Sequence, residues 1–494
     1  MRVLVPLPIM LPLVGAALSL TLHRRVALQR TLGVGVLAAT VVASVALLAV
    51  VHDDGPGAVD VGAWRAPIGI TLVADLFAAG MLVVSALMLL AVLVYAIGSP
   101  RTADQARFFH PVYLVLAAGV AASFLTGDLF NLFVAFEVML VASYVLITLG
   151  GSGNQVRTGM TYVVVSLVAS LLFVTAVAMV YAATGTVNLA QLAERVPDLP
   201  DGLRTALSLL LLVVFGIKAA IFPLFFWLPD SYPTAPTPVT AIFAGLLTKV
   251  GVYAIIRTQT LLFGDGGPSE VLLFVAGATM LVGVLGAIAQ DDVKRILSFH
   301  IISQIGYMVM GLGLFTVAGL AGAAFYITHH IVVKTALFLV GGIIEDIAGT
   351  GALRRIGGMV HRAPLVGALF LLPALSLAGL PPFSGFFAKL ALVQAGLATE
   401  HYVIVGVSLL VSLLTLFSMT KIWAGVFWGT PDEPMPERVR PEAPNRRLMI
   451  GATAALVGIS LAIAVGAEPV YDLSRDAAEQ LHDPAVYIAT VLER

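Results

Sequence analysis

Long apolar runs, each close to the length of a bilayer crossing, alternate along this chain with short stretches of glycine, proline and charge. A span needs roughly 20 mostly apolar residues. By that measure the pattern predicts fourteen helices, at 3–22, 27–51, 71–98, 108–126, 128–150, 158–184, 204–229, 236–263, 270–290, 293–315, 318–348, 364–398, 402–428 and 447–467. Breakers mark the joints: HDDGPG at 52–57, GSP at 98–100, GGSGN at 150–154, VPDLPDG at 196–202 and GDGGP at 264–268. The first run, from Val3 to Leu22, carries three prolines and lacks a strong basic start, so it reads as a retained helix and not as a signal peptide. The longest polar connection, 429–447, mixes prolines with both signs of charge and reads as a surface linker. After Gly466 apolar residues return at helical spacing among charges, which predicts a surface-lying tail.

Composition turns this pattern into a class. Charged residues make up 11% of the chain and hydrophobic residues 59%, against roughly 25% charged in soluble domains. The fold class is therefore an all-α polytopic membrane protein. A net charge of -1 averages apolar spans with loops of both signs, and nothing points to a nucleic-acid partner. Cysteine is absent, so there is no disulfide framework and no thiolate-held cluster, and redox chemistry would belong to another chain. No phosphate loop, zinc motif or nucleophile elbow is present. No cofactor is expected and no metal site is assigned.

Orientation follows from Lys and Arg on alternate sides of the spans. One set of loops holds Arg24, Arg25, Arg30, Arg101, Arg107, Arg157, Lys294, Arg295, Arg354, Arg355, Arg362, Arg438, Arg440, Arg446 and Arg447, fifteen in number. The other holds Arg2, Arg65, Arg195, Arg204, Arg257, Arg475 and Arg494, seven in number. The richer side is expected to face the cytoplasm, with both termini outside the cell membrane.

The remaining five basic residues, Lys218, Lys249, Lys334, Lys389 and Lys421, fall inside spans. A charge at mid-span costs several kcal/mol by even the mildest scales, so a functional role is its default reading. Lys218 and Lys249 each lie on the order of 15 Å from either surface at 1.5 Å per residue, too deep for easy snorkelling. Desolvation disfavours the charged form, so lysines this deep can exchange protons near neutral pH. Lys421 is nearer a span end and reads as snorkelling. Pro223 follows Lys218 by five residues, and a proline inside a helix removes a backbone hydrogen bond and breaks the turn. Broken helices at membrane depth are tolerated where they face protein or a wet cavity, and transporters place ion sites there. Among acids, Glu137 lies well within a span; its expected partner is Lys218, at similar depth, and a static pair gluing helices is the alternative. Asp75 and Asp128 sit near span ends, where each could load an ion or cap a helix.

The second half repeats the layout. THHIVVKTALFLVGG places His330 and Lys334 four apart, on one helical face, and imidazole titrates near physiological pH. His329 points about 100° away and suits an interhelical hydrogen bond. SLAGLPPFSGFFAKLALV puts a break at Pro381 and Pro382 ahead of Lys389. Spans 204–229 and 364–398 thus share an apolar run, a proline interruption and a central lysine while entering from opposite sides, the mark of an inverted repeat. His300, Ser303 and Gln304 could extend a hydrogen-bonded path or join helices.

Three segments carry a family resemblance. FFWLPDSYPTAPTPVTAIFAGLLTKVGVY (225–253), DDVKRILSFHIISQIGYM (291–308) and HHIVVKTALFLVGG (329–342) closely resemble the proton-translocating antiporter-like family. Its members are the A and D subunits of Mrp multisubunit Na+/H+ antiporters and the large antiporter-like subunits of respiratory complex I. The resemblance covers about 108–428. It implies fourteen helices with two inverted five-helix repeats, each containing a broken helix: an N-terminal segment 1–107, a first repeat 108–263, a second repeat 264–428, and 429–494 as cytoplasmic linker, last helix and tail. It also implies a midplane axis of Glu137 paired with Lys218, then Lys249, His330 and Lys334, and Lys389. The chain ends soon after its last span, without the long extension of the A-type subunit, and so is most similar to the D type. Lys389 stands where one complex I subunit has glutamate. The expected function is a proton-translocating subunit of a Na+/H+ antiporter, a secondary transporter and not an enzyme, working beside other membrane subunits in the lipid bilayer. The alternative is a proton-pumping subunit of a complex I-type quinone oxidoreductase. A third reading, a helical scaffold, sits badly with five basic groups and an acid inside spans. No oxygen-rich cage of the kind hard cations prefer is visible in the spans, so the chain is given the proton path and no Na+ path.

Overall fold

A computed structural model of the 494-residue chain describes residues 1, 3–99, 106–149, 153–264, 267–430 and 445–493, excluding the side chains at 106, 107 and 154. Among the described residues the chain is mostly helical. It opens with α1 (Leu7–Thr21) and α2 (Val26–Asp54), then α3 (Leu76–Gly98), α4 (Ala106–Leu125), α5 (Leu129–Thr148), α6 (Gly153–Thr184) and a short α7 (Leu189–Arg195). Next come α8 (Asp201–Ala219), α9 (Thr237–Phe263, including two π-helical turns), α10 (Ser269–Ile288), α11 (Val293–Gly313) and α12 (Val317–Ala348). The chain finishes with α13 (Pro364–Ala378), α14 (Ser384–Ala398), α15 (Tyr402–Trp428), α16 (Arg446–Val465), α17 (Ala467–His482) and α18 (Pro484–Leu492). Eleven of these are long and apolar enough to cross a membrane, namely α2–α6, α8–α11, α15 and α16; α1, α13 and α14 are shorter apolar helices.

Side-chain oxygens fix several helix starts. Asp75 accepts from Ala78 N at 2.8 Å, Asp128 from Asn131 N at 2.7 Å, Asp292 from Arg295 N at 3.1 Å and Thr316 from Gly319 N at 3.0 Å, each satisfying a donor with no intrahelical partner. The Asp75 cap corrects the expected helix 71–98, which begins at Leu76. Residues Thr71–Ala74 instead pair antiparallel with Gly57–Asp60 as a two-stranded hairpin. A four-residue apolar run abutting a helix cannot be told from that helix by periodicity.

The bundle is inverted relative to a water-soluble protein. Outer helices expose Val42 (69%), Leu171 (67%) and Leu413 (65%), while Lys249, Lys334, His300, His329 and His330 are fully buried. Such a surface fits hydrocarbon as its solvent, and the helices satisfy their backbone groups internally as that solvent demands. Helices α9, α11 and α12 are buried along nearly their whole length and form the centre.

Ion pairs gather at the two ends of α9. At one end Lys294 Nζ donates to Thr237 Oγ1 at 2.9 Å and to Glu345 at 2.9 Å. Arg446 pairs with Asp346 at 2.7 Å near the foot of the same helix α12. Lys421 reaches the carbonyls of Ile288 (3.0 Å) and Gln290 (2.6 Å) and pairs with Asp291 at 2.8 Å. It therefore caps the end of α10, and its hydrogen bond holds the Asp291 carboxyl below the usual carboxylate range. Twenty residues along α9, about 30 Å at 1.5 Å per residue, Arg257 pairs with the buried Asp75 at 2.6 Å and donates to Tyr253 Oη at 3.2 Å. The Tyr487 ring of α18 lies 5.4 Å from the Arg257 guanidinium, and Gln480 of α17 accepts from Leu76 N at 3.0 Å. The expected surface-lying tail is thus packed onto the bundle, with Ser474, Ala477, Ala478 and Leu481 buried.

Two local constructions match. Leu129 N donates to Val187 O and Leu189 N to Gly127 O, around an antiparallel bridge between Asp128 and Asn188. Val293 N donates to Gly351 O and Leu353 N to Asp291 O, around a bridge between Asp292 and Ala352. Each bridge spans 60 residues, from 128 to 188 and from 292 to 352, and each encloses a helix of 32 residues, α6 and α12.

Candidate functional site

Glu137 is half-buried on α5, on the face that also carries the exposed Phe130, Val134 and Val141. Its carboxylate accepts a hydrogen bond from Ser170 Oγ of α6. Lys218, in the last turn of α8, donates from Nζ to Ser170 Oγ at 3.3 Å and to Ser166 O at 3.2 Å. Glu137 and Lys218 form no direct ion pair among the described residues. This corrects the expectation of contact: the lysine reaches the backbone of α6, and the Ser170 hydroxyl stands between the two charges.

Helix α8 stops beside Lys218 because Ala220 turns left-handed (φ 60) and the Ile221 N–H reaches back to Gly216 O at 3.1 Å, an arrangement that closes helix ends. Pro223 lies in the irregular stretch that follows. Freed groups find partners: Trp227 Nε1 donates to Ile217 O at 3.1 Å and Phe222 N to Thr279 Oγ1 at 3.0 Å. In the second half α13 ends in the same way, with Gly379 left-handed (φ 87) and Leu380 N donating to Leu375 O at 3.2 Å; Pro381 and Pro382 occupy the gap before α14.

Lys249 is buried in the middle of α9, its Nζ donating to Ala244 O at 2.5 Å and Thr248 Oγ1 at 3.2 Å. Ala244 belongs to the π-helical turn Phe243–Leu247, and such widened turns are frequent at functional sites. Gly245 of this turn meets α12: a Cβ there would lie 2.4 Å from Thr335 Oγ1, so only glycine allows the approach. The contact brings Lys249 within electrostatic reach of His330 and Lys334. Both ring nitrogens of His330 and the Nζ of Lys334 lack hydrogen-bond partners among the described residues. The Tyr326 ring stacks on His330 at 6.3 Å, and Lys334 Nζ lies 5.8 Å from the Phe338 ring. Buried groups of this kind have hydrogen-bond partners in most proteins. His329, by contrast, bonds Ser384 Oγ across to α14 at 2.8 Å.

Lys389 of α14 donates to Leu377 O (3.0 Å), Ala378 O (3.2 Å) and Ser412 Oγ (2.9 Å), and lies 4.8 Å from the Tyr307 ring. Its ammonium therefore sits at the C-terminal end of α13, where the helix dipole favours a cation. Between His330 and Lys389 lies a polar cluster of which the sequence singled out Gln304 alone. Tyr326 donates to Gln304 Oε1, Tyr307 stacks on Tyr326 at 5.2 Å, and the Tyr307 hydroxyl donates to Ser408 O at 2.6 Å and lies 3.0 Å from Ser412 Oγ. His300 Nε2 lies 2.9 Å from Ser418 Oγ on α15, whereas Ser303 donates to Met280 O at 3.0 Å and joins α11 to α10. Asp75 and Asp128 serve as helix caps.

Fold and site together define a polytopic α-helical membrane protein with ionisable side chains buried along its centre and two helices broken beside lysines. The transmembrane family model described as NADH:quinone oxidoreductase/Mrp antiporter matches residues 126–415. The D subunit of a Na(+)/H(+) antiporter from Alkalihalophilus pseudofirmus is 44% identical over 100% of both chains. A chain in the structure of the Mrp complex from Dietzia sp. superposes with a TM-score of 0.92 at 36% identity, covering 100% of each. A chain of the membrane-bound sulfane sulfur reductase, an archaeal respiratory membrane complex, gives 0.89 at 25% identity, again over 100% of both. This chain belongs to the NADH:quinone oxidoreductase/Mrp antiporter family.

Proposed function

We propose that this chain is the proton-translocating subunit of a multisubunit Na+/H+ antiporter in the cell membrane, assembled with other membrane subunits. The observation that carries the reading is the full-length identity to an antiporter D subunit. Protons move along Glu137, Lys218, Lys249, His330 and Lys334, and Lys389, with the polar cluster of Tyr326, Gln304, Tyr307 and Ser412 lying between α12 and Lys389. Buried, exchangeable groups at mid-depth are what such a path requires. Na+-driven proton movement in inside-out vesicles carrying the whole complex tests the reading. Proton movement that answers only to an electron donor and a quinone would overturn it in favour of a respiratory proton pump, the second reading, which the likeness to the sulfane sulfur reductase chain keeps open.

The chain crosses fourteen times in this proposal: the eleven long helices, α1, the central α12, and α13 with α14 as one broken span. The boundaries are 1–107, 108–263, 264–428 and 429–494; residues 431–444 of the last segment lie outside the described residues. Support for two related halves comes from the matched bridges and their enclosed 32-residue helices. Both termini face outward. A cysteine placed at 53, exposed at the end of α2, will label from outside, and one at 354, exposed between α12 and α13, from the cytoplasm. Labelling of both from one side would refute the topology.

A further inference from the structure

The bond between Glu137 and Ser170, and that between Ser170 and Lys218, leave one hydroxyl as the contact between the two charged groups of the first half. A hydroxyl donates one proton and accepts through two lone pairs, so it can receive from an ammonium while giving to a carboxylate. We infer that Ser170 is the proton bridge between Lys218 and Glu137, passing a proton each way through its own oxygen. This rests on the proton path proposed above.

The step balances without any other reactant. An N–H bond of the Lys218 ammonium breaks as an O–H bond forms at Ser170; the original Ser170 O–H breaks as an O–H forms on Glu137. The products are a neutral amine, an unchanged serine and a neutral carboxylic acid. The reverse transfer runs back over the same two bonds, and rotation of the hydroxyl toward Glu137 restores the starting orientation for a further forward transfer. Charge separates or recombines over two hydrogen bonds, with no movement of either helix.

The geometry leaves Ser170 little else to do. It is 7% exposed, and its hydroxyl makes these two bonds and no other among the described residues. Most serines and threonines on these helices instead bond their own backbone one turn back, as Thr175 does to Leu171 O and Thr184 to Val180 O. The repeat relation points to the same residue. The offset of 164 that carries the bridge residues 128 and 188 onto 292 and 352 also carries Ser166 onto His330 and Ser170 onto Lys334. The hydroxyl thus occupies, in the first half, the place of a buried proton carrier in the second.

The test uses two substitutions of nearly equal shape in the assembled complex. Ser170→Thr keeps the hydroxyl; Ser170→Val replaces it by a methyl and leaves no room for a water in its place. Na+-driven proton flux is measured per assembled complex across a range of pH. Ser170→Thr is expected to keep both the pH optimum and a rate close to the parent's, and Ser170→Val to lose about 100-fold, the scale of a lost acid–base group. Parent-like flux in Ser170→Val, alongside an inactive Glu137→Gln, would overturn the bridge and leave the proton path standing. An active Glu137→Gln would overturn the path and the bridge with it. Should Ser170→Val fail to assemble, Ser170→Ala removes the hydroxyl with less bulk and is judged by the same two outcomes.

Discussion

Glu137→Gln will stop Na+-driven proton flux, by about 100-fold or more per assembled complex, while the complex still forms. Glu137 is the acid at the middle of α5, and the groups nearest it along the path are Ser170 and Lys218. An ionised carboxylate close by favours the ammonium of a buried lysine, and a neutral one does not. The charge on Glu137 therefore decides whether Lys218 holds its proton or passes it on. Glutamine keeps the size and still accepts the Ser170 hydrogen bond, so packing survives and the charge alone is lost. Glu137→Asp keeps the charge on a shorter arm and should retain partial flux with a displaced pH optimum. If the acid only glued helices together, Glu137→Gln would lower the amount of complex, yet each surviving complex would transport normally. Flux normalised to assembled protein separates the two, and full activity per complex would sink the switch.

Replacing Lys389 by alanine will also abolish transport, with a second effect that the sequence does not foretell. From the sequence alone Lys389 is there to carry charge, and its loss should leave assembly intact. In the structure its ammonium also holds the carbonyls of Leu377 and Ala378 at the end of α13. Stranding a buried polar group costs about 1–3 kcal/mol, so Lys389→Ala should lower the amount of complex and silence what assembles. Immunodetection of the partner subunits measures the first loss and vesicle flux the second. Normal flux per assembled complex would mean that protons leave the path before Lys389.

What could be read in the sequence was whatever violates the solvent. Lysine in an apolar run, or a proline beside it, is expensive in hydrocarbon, so Lys218, Lys249, Lys334, Lys389 and both helix breaks stood out without any structure. What could not be read was whatever suits the solvent. Serine is unremarked in a membrane helix, and nothing separates Ser170 from the serines and threonines that bond their own backbone. The π-turn at Phe243–Leu247 leaves no compositional trace that separates it from an α-helical turn, since a single glycine among apolar residues is frequent in membrane helices. The hairpin strand Thr71–Ala74 passed for the start of α3 because so short a run, three of its four residues apolar, carries no period of its own. Lys421 was legible as an end-of-span lysine, but its partners, the carbonyls of Ile288 and Gln290, depend on a tertiary contact between α15 and α10.

The buried ion pair at the Arg257 end of α9 bears on how the chain is made. Leu76 and Gln480 are 404 residues apart, yet they share a hydrogen bond, and Tyr487 covers a pair formed by Asp75 and Arg257. A ribosome delivers Asp75 early, Arg257 midway and the covering tail last. Both members of the pair are therefore made before the segments that cover them, and the contact can close only after α17 and α18 have been synthesised.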